Sequence, residues 1–254
     1  MKLGLIFVVI AAATLPAQEL NPEWVVALSK IKRQNKDELK RLPNYVCLET
    51  VDRFEKRPSA KAFQRYDTLK LQVAVVDGDE LMAQADAPQL DSNNPNRFSR
   101  GGALGTGIFS SFVFNVFVNG NGRITSWSKE ELNDRPAWRF NYESPSWTSG
   151  YKLVTLHGEA TVGERGSFWA DTTTLDLLRM EIHAFDIPAG FDIQDVVTRI
   201  DFARTKLGGL DLLLPKYAET LLTDISGELR KNQMTFSGCR EYHSESVIKF
   251  DTDK

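Results

Sequence analysis

Apolar positions in residues 22–41 recur at helical spacing. Trp24, Leu28, Ile31, Leu39 and Leu42 fall on one side, and Lys30, Lys32, Arg33, Lys36, Lys40 and Arg41 on the other. Asn21 is a capping residue type, Pro22 suits the first helical position, and Pro43 stops the run. One amphipathic helix covering an apolar surface is therefore predicted. After Pro43 the period changes to two. Residues 45–54 alternate, and Leu69, Leu71, Val73 and Val75 lead through the turn signal Asp77-Gly78 to Glu80-Leu81-Met82, which reads as a hairpin. Trp138, Phe140 and Tyr142 alternate with Arg139 and Asn141, and residues 152–156 follow after Pro145 and Gly150. Leu178, Met180, Ile182 and Ala184 alternate with Arg179, Glu181 and His183. Residues 196–203, 210–214, 217–225 and 241–250 read as further strands. Residues 83–107 form a long polar loop rich in Gly and Pro. Residues 108–118 (Ile108, Phe109, Phe112, Phe114 and Phe117 among them) are very apolar, also of strand character, and are closed by Asn119-Gly120-Asn121-Gly122. The pattern predicts an α+β, mainly β chain: a strongly curved antiparallel sheet with one helix packed on it. No internal repeat or linker-like boundary divides it, so residues 18–254 are expected to form one domain.

The beginning of the chain changes the picture of where it works. Met1-Lys2, an apolar stretch over Leu3 to Ala13 and the exit Thr14-Leu15-Pro16-Ala17 make a secretory signal, with cleavage expected after Ala17. The stretch is shorter than the roughly 20 apolar residues that span a bilayer. No cysteine follows it to carry a lipid anchor, and no later stretch reads as a transmembrane helix, so a soluble exported protein is expected, periplasmic or extracellular. In that setting the two cysteines, Cys47 and Cys239, are expected to form a disulfide. A net charge of −3 and 42 % hydrophobic residues describe a globular chain without the basic face that a nucleic-acid partner needs. The basic side of the predicted helix is interrupted by Asp37 and Glu38 and reads as a solvated face.

Catalytic chemistry finds no anchor. His157, His183 and His243 are scattered, without metal-ligand spacing, and His183 falls on the polar side of its strand. Ser110 and Ser111 lack a nucleophile elbow. The cluster Gly101-Gly102-Ala103-Leu104-Gly105-Thr106-Gly107 lacks the Lys-Ser or Lys-Thr ending of a phosphate-binding loop and reads as a hinge before the apolar segment. Asp77, Asp79 and Glu80 are explained by turn duty. A non-enzyme without metal or cofactor is expected. Aromatic residues crowd the middle of the chain (Phe109, Phe112, Trp127, Trp138, Trp147 and Trp169 among them), and a curved sheet carrying them either fills its own concavity or keeps an apolar hollow.

Several phrases carry a resemblance: residues 44–50 (Asn-Tyr-Val-Cys-Leu-Glu-Thr), Gly166-Ser-Phe-Trp169-Ala-Asp171 followed by Leu178-Arg179-Met180-Glu181, Gly208-Gly209 running to Pro215, and Phe236-Ser-Gly-Cys239-Arg-Glu-Tyr242. Over about residues 44–250 the chain resembles a group of secreted bacterial proteins of unassigned function. Over about 135–220 it resembles the outer-membrane lipoprotein carrier superfamily. The resemblance implies an unclosed half β-barrel curled around an apolar hollow, with helix 22–41 as a lid and residues 108–118 as a second cover. It implies lipid or lipoprotein acyl chains as ligands, and Trp138, Phe140, Tyr142, Leu153, Trp169, Met180, Ile182 and Phe202 are the residues expected to line the hollow. The alternative is a periplasmic interaction or scaffolding domain with a filled core, binding an envelope protein through residues 108–118 or the basic helix face. The Cys47–Cys239 bridge and the long 83–107 loop depart from the carrier pattern.

Overall fold

The structure, a computed structural model, describes residues 22–87, 107–155 and 158–242. The expected signal peptide, most of the 83–107 loop, His157, His243 and all but the first two residues of the strand expected over 241–250 lie outside the described residues. In chain order the elements are α1 (Glu23–Arg41), β1 (Tyr45–Lys56), β2 (Gln64–Val76), β3 (Asp79–Gln84), α2 (Ser111–Phe117), β4 (Arg123–Leu132), β5 (Arg135–Ser144), α3 (Ser146–Ser149), β6 (Tyr151–Thr155), β7 (Gly158–Asp171), β8 (Leu177–Phe185), β9 (Ile193–Leu207), β10 (Leu210–Asp224) and β11 (Leu229–Glu241).

The strands form one antiparallel sheet in the order β3-β2-β1-β11-β10-β9-β8-β7-β5-β4, with β6 paired to the first half of β7. Most neighbours in the sheet are neighbours in the chain, joined by tight turns. Asp77-Gly78, Asn133-Asp134 and Gly208-Gly209 all place two successive residues at positive φ, the twist that two-residue hairpins require. The exceptions are β5 and β7, which pair across the intervening α3 and β6, and the seam between β1 and β11, where the two ends of the domain pair with each other. Cys47 and Cys239 are bonded across that seam, 192 positions apart in sequence.

The sheet does not close, because β3 and β4 end the order without pairing to each other. It curls nevertheless. Phe109 packs on Tyr45 of β1 (ring centroids 6.1 Å apart) and Phe117 packs on Phe168 of β7 (4.9 Å). Those strands stand five places apart in the sheet, about 24 Å if it were flat, whereas Phe109 and Phe117 are separated by only eight, mostly helical, positions. Only a concave sheet brings both contacts within reach of one short segment.

Two helices fill the concavity. Helix α1 buries the stripe Ala27, Ile31, Asn35 and Glu38. Its ends are tied to the rim of the sheet: Trp24 stacks on Trp127 of β4 at 6.0 Å, and Arg204 of β9 donates to Glu38 at 2.8 Å. The cap position is Pro22 rather than the first helical turn, and Asn21 lies outside the described residues. The apolar segment 108–118 is helical over Ser111–Phe117, not extended, because Phe112, Val113, Val116 and Phe117 share one helical face and bury it in the main core. The other corrections concern strands. Residues 210–224 form one strand bent by a bulge between Pro215 and Tyr217, and β4 and β11 are strands that alternation does not announce. β4 is an edge strand with no fully buried position, and β11 buries Asn232 beside Met234, so neither carries a clean apolar period.

Candidate functional site

The inward face of the sheet is made of rows that cross it from strand to strand. One row reads Phe140, Phe168, Met180, Ile200, Ala218, Met234, Val51 and Leu69, each the register partner of the next across eight strands. It is apolar from end to end and, apart from the partly buried Leu69, fully buried. The next inward row lies two residues further along each strand. It reads Tyr142, Gly166, Ile182, Thr198, Thr220, Asn232, Arg53 and Asp67. From Thr198 to Asp67 the row is polar; Thr198, Asn232 and Arg53 are 4 %, 4 % and 2 % exposed, whereas Thr220 and Asp67 are half-buried. Thr198 and Thr220 share a hydrogen bond of 3.1 Å, and Arg53 grips Asp67 through both carboxylate oxygens, at 2.7 and 2.5 Å. Beyond the polar row a second apolar cluster gathers Leu153, Val162, Ala184, Ile193, Val196 and Leu222. The concave face is thus a large apolar floor bordered by a buried polar belt.

Helix α2 lies on that floor. Phe117 meets Phe168 edge to face, and Phe112 meets Tyr151 in the same way at 5.4 Å, at the border of the polar belt. The helix is seven residues long and has no side-chain cap. Its tethers are polar and peripheral: Asn115 and Asn121 donate to the carbonyl oxygens of Ser149 and Thr148 on α3, at 3.0 and 2.7 Å. Its leading segment hangs on Glu80 of edge strand β3, whose carboxylate accepts the amide N–H groups of Gly107 and Phe109 at 2.9 and 3.0 Å.

Three carboxyl groups on the inward side stand out electrostatically. Burial pushes Glu80 upward, while the amides of Gly107, Phe109 and Ser110 pull it back. Glu49, 2 % exposed, is pushed up to about 8 by burial and then by the charge of Glu80. Burial alone raises Glu164, 0 % exposed, to about 7. The phenols of Tyr45, Tyr142 and Tyr151 are all held above their ordinary value, in each case chiefly by burial.

Of the eight residues expected to line a hollow, Trp138, Phe140, Tyr142, Met180 and Ile182 come together in the main inward core, and Phe202 packs against it half-buried. Leu153 belongs to the second cluster, beyond the polar belt. Trp169 is placed on the opposite face. It packs with Ala137 and Leu178, donates its indole N–H to Glu130 at 2.5 Å and lies under the Arg139 guanidinium. The cause is simple alternation along β7, where Phe168 and Ala170 point inward. A bulge opposite Trp169 and Ala170 turns Leu178 outward as well, away from Met180 and Ile182. Sequence reasoning missed Glu49 and Glu164, although both stand in the inward register of their strands, two positions from Cys47 and Val51 and from Val162 and Gly166.

Among the described residues, no cluster of His, Cys, Asp and Glu suits a metal ion, and no helix is long and apolar enough to cross a membrane. A solvent-open groove of about 260 Å³ lies between Lys30, Arg33 and Arg41 of α1 and Leu175 of the β7–β8 turn, on the basic helix side.

No family model matches the chain, and no curated protein matches it. Among solved structures the chain is similar to a DUF1329 family protein from Desulfovibrio piger. The identity is 12 %, the TM-score is 0.43, and 87 % of this chain and 95 % of that one are covered. It is also similar to the Mycobacterium tuberculosis lipoprotein LppX, at 12 % identity and a TM-score of 0.30, covering 87 % and 98 %.

Proposed function

We propose that the protein is an exported, non-enzymatic binding protein of the cell envelope, and that its half-barrel takes a lipid or acyl chain on the concave face when α2 withdraws. The observation that carries this reading is the apolar row from Phe140 to Leu69, covered by a seven-residue helix that spans no sheet edge and is held by few polar tethers. In this reading α2 occupies the place of the ligand. Phe112 and Phe117 supply the apolar contact that an acyl chain makes in their absence. The bonded Cys47–Cys239 pair supports an oxidising compartment. The alternative, a partner-binding surface built on residues 108–118, is opposed by the burial of Phe109, Phe112, Val113, Val116 and Phe117 in the core.

Native mass spectrometry of mature protein purified from the periplasm, with organic extraction of what co-purifies, tests the reading. A stoichiometric apolar mass is expected, and Met180→Trp or Ile182→Trp should displace it by filling the floor. Protein that stays free of ligand when incubated with lipids overturns the proposal. A second consequence concerns the cover itself. Phe117→Ala removes a buried ring and should cost about 3 kcal/mol of stability, read by chemical denaturation. Because it weakens the covered state, the same change should raise the affinity for an acyl-chain probe. Lower affinity in Phe117→Ala would mean that Phe117 belongs to the ligand site and is not a plug.

A further inference from the structure

The polar belt ends, on the β5 side, in a group of atoms whose hydrogen-bonding capacity the described chain does not use. Glu164 of β7 faces Ser144 on β5 and Ala184 on β8 in register, with Tyr142 one inward step away across the β5–β7 pair. Glu164 and Tyr142 are 0 % and 2 % exposed. Neither carboxylate oxygen of Glu164, nor the hydroxyl of Tyr142, meets a hydrogen-bond partner among the described residues. Next to them the buried Tyr151 hydroxyl is bonded to Thr198, which is bonded in turn to Thr220. Buried polar atoms are almost always paired. Two such groups left open side by side, at the border of an apolar floor, form half of a hydrogen-bonding site.

The chemistry of the missing half follows from the atoms present. A carboxylate accepts only, whereas a phenol can donate. A ligand hydroxyl satisfies both, donating to Glu164 and accepting from Tyr142. A ligand carboxylate brings only acceptors and a like charge. We infer that the Glu164–Tyr142–Tyr151 corner binds the hydroxylated, uncharged head of an amphipathic lipid, whose chain lies along Phe140, Phe168 and Met180. The inference rests on the apolar-ligand reading and names the ligand class of that same site. The cover fits it. Phe112 of α2 stands on the Tyr151 ring, and the chain after α2 closes over Tyr142 at Gly122, where a Cβ would come within 3.2 Å of the Tyr142 ring. Withdrawal of α2 therefore uncovers the floor and its polar corner together.

The test compares three proteins, wild type, Glu164→Gln and Tyr142→Phe, at pH 8.5. The titratable groups facing Glu164 there are Tyr142 from β5 and Tyr151 from β6, with Asp195 of β9 acting on Tyr151. The probes are 1-monopalmitoylglycerol and palmitate, which share a chain and differ in the head, and near-ultraviolet circular dichroism checks that each variant is folded. Wild type is expected to prefer the monoglyceride by at least about tenfold, because a buried acceptor penalises a head that cannot donate to it. Glu164→Gln, whose amide donates, should narrow that preference by strengthening palmitate binding. Tyr142→Phe should weaken the monoglyceride without helping palmitate. Equal affinity for the two probes in wild type, unchanged by Glu164→Gln, overturns the head-group site while leaving the apolar hollow standing. If neither probe binds any of the three proteins, the hollow is overturned as well.

Discussion

Replacing Cys47 and Cys239 by alanine is expected to lower the melting temperature by roughly 10–20 °C. The bridge closes a loop of 192 positions, and the chain-entropy relation assigns such a loop about 5 kcal/mol of unfolded-state restriction. For a domain of this size each kcal/mol moves the midpoint by roughly 2–4 °C. The topology sharpens the expectation. The arm β3-β2-β1 meets the rest of the sheet only through the β1–β11 seam, where the bridge sits. Loss of the bond should therefore loosen that arm first, together with Glu80 of β3 and its hold on the approach to α2. Calorimetry reads the global effect, and hydrogen exchange should become fastest in residues 45–84. A midpoint shift below about 3 °C, with uniform exchange, would falsify the view that the bridge secures the two ends of the domain.

The same seam bears on the proposed withdrawal of α2. If α2 withdraws as proposed, reduction of the bridge is expected to ease that step through Glu80, because the carboxylate that holds the approach to α2 belongs to the arm that the disulfide secures. In the proposed reading the cover stays seated where thiols are oxidised, the kind of compartment that the bonded pair supports.

Much of the fold is legible in the sequence because alternation is a direct consequence of the pleat. Tyr45, Cys47 and Val51, or Phe140 and Tyr142, announce both a strand and its buried face. The turns at Asp77-Gly78 and Gly208-Gly209 are legible for the same reason, since few residues tolerate positive φ. Three things are not. The segment around Phe112 and Phe117 is apolar enough for either a strand or a buried helix, and periodicity alone does not separate them. The size of Trp169 argues for an inward ring, although its neighbours Phe168 and Ala170 fix its direction outward. Glu49, Arg53 and Glu164 escape notice because charged residues are expected outside. Their register gives them away: each stands in line with inward-facing neighbours two positions along the strand. Trusting alternation over residue type would find the members of the polar belt. Its continuity across eight strands depends on the pairing of strands distant in sequence, which only the sheet reveals.

Those inward carboxyl groups are expected to make the protein more stable on mild acidification. Glu49 has an ordinary value of 4.5 and is pushed up to about 8 in the folded chain, by burial first and then by Glu80. A carboxyl raised by folding binds its proton more tightly in the folded state. Its contribution is fully present below the unfolded value and is lost as pH climbs through the folded one. Glu164, raised to about 7 by burial, acts in the same direction. Groups held low by folding, such as Asp171 and Asp224, lose their contribution only on further acidification, below their ordinary value of 3.8. Between pH 8.5 and 5.5 the gain therefore comes from the carboxyl groups that burial raises, Glu49 and Glu164, with Glu80 acting in the same direction. Each tenfold gain in proton affinity on folding corresponds to about 1.4 kcal/mol, so the rise of Glu49 from 4.5 to about 8 is worth on the order of 5 kcal/mol across its range, and most of that falls inside this window. The melting temperature should thus increase by roughly 10 °C from pH 8.5 to 5.5. Glu49→Gln, which keeps the shape and removes the charge, should abolish most of the slope and stabilise the protein at pH 8.5. A midpoint that falls on acidification, or a slope that survives Glu49→Gln together with Glu164→Gln, would place the ionisation elsewhere and return Glu49 to a solvated, ordinary carboxylate.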